Sequence, residues 1–188
     1  MTFLLALLLG AKSATPVTFV GIDYSRALFV GSGDFTDVAQ VTGYYPGEWN
    51  RLWASEMMED AAKAAGPMTQ SIEIVAASNA KVSDLQIRRT DGGDDIVAAT
   101  EITAETLGEL VASYDMKGAE GLALVLVVDR YVKLQEQGCT WVVYFDAGSR
   151  KIEAKQRVCE KASGFGVRNY WFRTAKDLVD DIKKLKPR

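Results

Sequence analysis

The run Leu122-Ala123-Leu124-Val125-Leu126-Val127-Val128 leaves a chain of this kind few ways to fold. Every position is apolar, and Gly121 precedes it. Successive residues of a strand point to opposite faces, so a strand that is apolar on both must be covered on both. Residues 121–128 are therefore expected at the centre of a sheet.

The rest of the pattern supplies neighbours for that strand. Residues 17–23 are rich in β-branched and aromatic side chains and read as a strand, and residues 27–31 form a second short apolar run. Gly31-Ser32-Gly33-Asp34 marks a loop, with Asp34 placed to cap a helical turn. Trp49, Leu52, Trp53, Met57, Ala61 and Ala64 recur at steps of three and four, which predicts one helix over residues 48–65, stopped by Gly66-Pro67. Residues 71–75 alternate as a strand does, and residues 81–89 hold a weaker one. Thr103 is expected to cap a helix running to about residue 113, with Leu107, Leu110, Val111 and Tyr114 on one face. Strands at 139–145 and 152–159 flank a tight turn. Trp171, Ala175, Leu178, Val179, Ile182 and Leu185 define a C-terminal helix, with Lys183, Lys184 and Lys186 at the negative end of its dipole. No repeat or long linker divides the chain. The expected class is α/β (α+β): a mixed β-sheet with helices packed on at least one of its faces, in a single compact domain over residues 15–188.

The hairpin admits two registers. Pairing Asp146 with Lys151 sets Phe145 against Ile152, Val143 against Ala154 and Cys139 against Val158, with an apolar row on one side. A shift of one residue sets Cys139 against Cys159, but also Trp141 against Arg157 and Phe145 against Glu153. The hydrophobic pattern selects the first register, in which the thiols point apart and bond only through a bulge. An oxidising compartment favours the bond, so the disulfide stays open at this point.

Residues 1–14 open with an apolar run from Met1 to Leu9, followed by Gly10 and small residues around Lys12. This matches a secretory signal peptide, with Ala11 and Ser13 as the small residues before the cut. The run is shorter than the roughly 20 residues a membrane span needs, so no integral membrane span is expected. The chain is expected to be exported, periplasmic or secreted.

Net charge is −3, which gives the domain no bulk electrostatic reason to bind nucleic acid. There is no histidine, which removes Ser–His–Asp and Cys–His catalysis and most transition-metal sites. No cofactor and no metal is implied. Clustered acids at Asp91, Asp94 and Asp95, with Asp34, match no calcium loop.

Three stretches carry polar residues where strands end. Asp23, Tyr24 and Ser25 follow the first strand, and Asp129-Arg130-Tyr131 follow the central one. Gly164, Gly166, Arg168 and Asn169 lead from a strand into the last helix, where free N–H groups and a forked guanidinium suit an anion. The plainer reading of that loop is a tight turn that sets Trp171 in the core, and of Asp23 and Ser25 a surface turn bonding its own backbone. Tyr44, Tyr45 and Trp49 form either an exposed contact patch or a staple that seats the helix.

Residues 21–25 after an apolar strand, the strand at 121–128, the hairpin from Tyr144-Phe145-Asp146 to Arg150-Lys151, and residues 164–171 together resemble a group of small exported bacterial proteins of unknown function. The resemblance spans most of the chain beyond the leader, with little at residues 66–100. It implies a compact α/β fold in a bacterial envelope and brings no catalytic residues. The strand, hairpin, glycine turn and helix of the C-terminal part are more distantly similar to envelope assembly factors of the curli-secretion type. Those carry a lipid-anchoring cysteine that this chain lacks. The expected function is a non-catalytic binding or interaction domain whose partner is an envelope protein or a small ligand. The alternative is a carboxylate-dependent hydrolase or transferase with a cleft near Asp23, Asp129 and Arg168.

Overall fold

A computed structural model describes residues 16–90 and 102–187. The leader and the acidic turn at residues 91–95 lie outside the described residues.

The sheet is built around β5 (Leu122–Val132), buried along nearly its whole length. Antiparallel β6 (Gln137–Asp146) follows one edge of β5, and β7 (Ile152–Lys161) pairs with β6 as the outer strand. The other edge of β5 takes β1 (Val17–Asp23) and then β2 (Leu28–Val30), both parallel. β3 (Met68–Gln70) flanks β1 and β4 (Ile87–Arg88) flanks β2, again parallel. The mixed α/β sheet is thus as the sequence implies.

The alternation of β5 divides the interior into two cores. Leu124, Leu126 and Val128 face α1 (Tyr45–Glu56), α2 (Met58–Ala65), α5 (Gly166–Lys176) and α6 (Val179–Leu185). Ala123, Val125 and Val127 face α3 (Glu73–Asn79) and α4 (Ala104–Ala112). Among the described residues, no helix is long and apolar enough to cross a membrane.

Several elements differ from the sequence reading. The helix expected over 48–65 is two helices, broken at Met57, and the break brings Ala65 rather than Ala64 into the core. The C-terminal helix breaks likewise at Asp177–Leu178, and α6 then packs on α2. Residues 71–75 are not a strand. Pairing with β1 ends where the Ser71 N–H donates to Phe19 O, and the chain turns into α3, which buries Ile74, Val75, Ser78 and Asn79 on one helical face. The strand in this region lies just before, at β3, whose polar residues hide it from periodicity. Residues 81–89 shrink to a 3₁₀ turn (Asp84–Gln86) and the two residues of β4. Thr103 does cap α4, its hydroxyl accepting from the Thr106 N–H at 3.2 Å.

The hairpin register is corrected. Phe145 pairs with Ile152 as expected, but Tyr144 pairs with Ala154, so Glu153 bulges and every later pair shifts. Cys139 then faces Cys159, 4.0 Å apart at Cα, and the two form a disulfide. Trp141 does face Arg157, whose charge is met by the buried carboxylate of Asp129.

Candidate functional site

β1 and β2 are one extended segment along a single edge of β5, interrupted at residues 24–27. Within β1, Val20 is the extra residue of a bulge between Phe19 and Gly21. Gly21 sits at φ +117°, and a Cβ there would lie 2.5 Å from Val75 Cγ2 and 2.7 Å from Asn50 Oδ1. Only glycine permits that approach. Beyond the end of β3, the edge of β1 away from β5 has side-chain amides in place of a strand partner. Asn50 accepts from the Ile22 N–H at 2.7 Å and donates to Ile22 O at 2.8 Å. Asn79 accepts from the Tyr24 N–H at 2.7 Å and donates to Ile22 O at 2.9 Å. Gln86 donates to Tyr24 O and Ala27 O at 3.0 and 2.8 Å. Unmet backbone groups at this depth are costly, so these side chains hold the corner in shape.

Asp23 closes the corner from beneath. It is fully buried, accepts from the Ser25 N–H at 2.7 Å and takes the Tyr114 hydroxyl at 2.7 Å. Burial pushes its carboxyl above the ordinary value, offset in part by Ser25, Tyr114 and the Lys81 cation. Tyr24, grouped with Asp23 and Ser25 by sequence, turns the other way. It is fully buried, 5.2 Å from the Trp49 ring, and belongs to the core.

The corner projects Ser25 and Arg26 over a hollow of about 480 Å³. Ser78, Lys81, Ser83 and Gln86 line it from the end of α3 onward, and Glu109, Leu110 and Ser113 from α4 and its cap. The sequence reading found only Ser25 of this set. Asn50 did carry a signal, an amide at a core position of an amphipathic helix. The hydroxyls and cations of the hollow carry none.

Asp129 is the extra residue of a second bulge, in β5, beside the point where β1 gives way to β2. It is fully buried and accepts from the Ile102 N–H at 3.0 Å, Arg130 Nε at 2.7 Å and Arg157 Nη2 at 2.7 Å. Its oxygens are engaged in holding β5, β7 and the start of α4 together. Asp23 and Asp129 share the face of α3 and α4, since their partners Tyr114 and Ile102 lie in that core.

Arg168 lies on the opposite face, on α5. It bonds Glu48 Oε1 at 3.0 Å, and its carbonyl accepts from the Trp49 indole at 2.8 Å. Arg51 first, and Arg168 with it, hold the Glu48 carboxyl below its usual range. Gly164, Arg168 and Asn169 line a second hollow of about 370 Å³ with Glu56, Arg173 and Lys176. Gly164 and Gly166 border a third, of about 270 Å³, with Asp34, Lys133 and Tyr170. In both, the cations already have acids: Arg173 holds Asp177 at 2.8 Å, Lys176 faces Glu56 at 3.9 Å and Lys133 faces Asp34 at 3.3 Å. Asp34 caps no helix; it accepts from the Trp171 indole at 3.2 Å. The aromatic loop is a staple rather than a patch: Tyr45 and Trp49 are buried and stacked 5.0 Å apart, and Tyr44 alone of the three is exposed.

Comparison with protein-family models, curated proteins and solved structures finds no match. The site must therefore be judged on its own chemistry. The hollow at the strand break offers hydroxyls, an arginine and a lysine around a fixed corner, an arrangement suited to holding a polar ligand.

Proposed function

We propose that this chain is an exported, non-catalytic binding domain of the bacterial cell envelope that receives its ligand in the hollow at the break between β1 and β2. The hollow carries the reading: it is polar and open, and three separate segments converge on it around a corner held by buried amides. The candidate carboxylates are already occupied. Asp23 holds Ser25 and Tyr114, Asp129 holds two arginines, and Arg168 belongs to the other face, which favours binding over catalysis. The Cys139–Cys159 disulfide supports export, because such bonds persist mainly in oxidising compartments. The leader-like residues 1–14 point the same way.

Two measurements test this. Full-length chain expressed in a bacterium should be recovered outside the cytoplasm, shortened near residues 13–14 and without free thiols. An intact N-terminus on cytoplasmic protein with both thiols free would remove the export reading. Hydrogen exchange with the small-molecule fraction of an envelope extract should slow at residues 24–27, 78–86 and 109–113. Ser113→Trp should abolish that protection; unchanged exchange in both proteins counts against the hollow.

A further inference from the structure

Among its described lining residues, the hollow at the strand break carries two cations, Arg26 and Lys81, against one acid, Glu109. Arg26 and Lys81 both line it, both are exposed, and neither has an ion-pair partner among the described residues. The cations of the two other hollows are all matched to acids. The Ser25 hydroxyl is buried at the same corner beside the Asp23 carboxyl, which it helps to hold charged. Two exposed cations without ion pairs, set among serine hydroxyls, are arranged to meet the oxygen atoms of a ligand.

We propose, resting on the binding reading above, that this hollow receives a small anionic molecule bearing several hydroxyl groups, namely a phosphorylated or carboxylated sugar. The planar fork of Arg26 matches two oxygens of a phosphate or carboxylate, and Lys81 adds a compact charge. Ser78 and Ser83 each donate and accept, as sugar hydroxyls do. Ser113 already donates to Leu110 O at 2.7 Å and so offers lone pairs. Glu109 accepts only; it takes a ligand hydroxyl and repels a second acidic group. Among the described residues of the lining, Leu110 is the one apolar side chain and none carries an aromatic ring to stack on a nucleobase. The volume of about 480 Å³ falls within the span of roughly 300–1,000 Å³ usual for small-molecule sites.

Titration calorimetry on the full chain tests this with four probes: glucose 6-phosphate, glucuronate, glucose and inorganic phosphate. One of the two acidic sugars should bind and glucose should not, which also tells phosphate from carboxylate. Arg26→Ala and Lys81→Ala should each weaken binding roughly tenfold or more, as expected for loss of a charged hydrogen bond. Lys63→Ala, on α2 across the sheet, should change nothing. Thermal melts matching the parent protein establish that the variants fold. Glucose binding as tightly as its phosphate overturns the anion while leaving the hollow as a binding site, provided Ser113→Trp blocks it. Inorganic phosphate binding as tightly as either acidic sugar overturns the sugar. Binding that survives Ser113→Trp overturns the site itself, and no heat from any probe at about 10 mM overturns the proposal.

Discussion

Asp23 and Asp129 are both fully buried, yet they stand in different electrostatic situations. Asp23 has hydrogen bonds and, among the described residues, no ion pair, and burial holds its carboxyl above the ordinary 3.8. As pH rises through about 4, the unfolded chain loses this proton while the folded chain still keeps it. The folded state then binds more protons, so stability declines with rising pH and levels off once Asp23 has ionised in the fold. Asp23→Asn should remove that decline. Urea unfolding of both proteins from pH 4 to 8 gives the two slopes, and identical slopes would contradict the assignment. Asp129 is instead matched by Arg130 and Arg157. Removing it takes a buried charge partner away from both arginines, and Asp129→Ala should cost about 3–5 kcal/mol in the same assay. Arg168 provides the contrast. Its side chain is 42% exposed, and Glu48 keeps Arg51 when it is gone, so Arg168→Ala should cost less than about 1 kcal/mol. A large loss there would make the arginine a structural keystone of α1 and α5.

Among the elements, the hairpin of β6 and β7 shows where pattern reasoning breaks down. The regular register has the cleaner apolar row because it keeps Arg157 and Glu153 out of the core. The shifted register avoids that conflict by other means: Glu153 is extruded as a bulge, and Arg157 becomes the counter-ion of a buried acid. Neither event leaves a mark in the alternation of apolar residues. The bulge makes a sharp prediction. Deleting Glu153 turns the hairpin into a regular ladder with the same partners, so the disulfide should survive and thiol titration should find no free cysteine. Free thiols in the deletion variant would mean that the register rests on something other than the bulge. Replacing both cysteines by serine opens a link between residues 20 apart and should cost about 3 kcal/mol. β7 is the sheet edge, and its exposed Glu153, Lys155 and Lys161 also discourage pairing with another chain.

At the scale of the whole molecule, the two-core architecture was readable because it rests on local periodicity. A strand apolar at every position requires two covers, and helices with one apolar stripe supply them. The same logic placed β1, β2, the capped α4 and the buried faces of α1 and α5. It misassigned residues 71–75, where Ile72, Ile74 and Val75 satisfy a strand and a short helix equally well. It also joined helices that break at Met57 and Asp177, since a bend keeps the stripe in phase. The hollow was nearly invisible. Ser25 and Arg26 lie more than fifty residues from Ser78 and Lys81, and those lie about thirty from Glu109 and Ser113. What the sequence determined by itself was which faces must leave water, because burial of apolar surface is encoded residue by residue. What tertiary structure decided was how the polar groups are matched: Asn50 and Asn79 at the end of β1, Arg157 on Asp129, Cys139 on Cys159, and Arg26 and Lys81 brought together at the hollow. Hydrogen bonds and ion pairs need atoms within about 3 Å and in line, and only the packed chain brings distant segments that close.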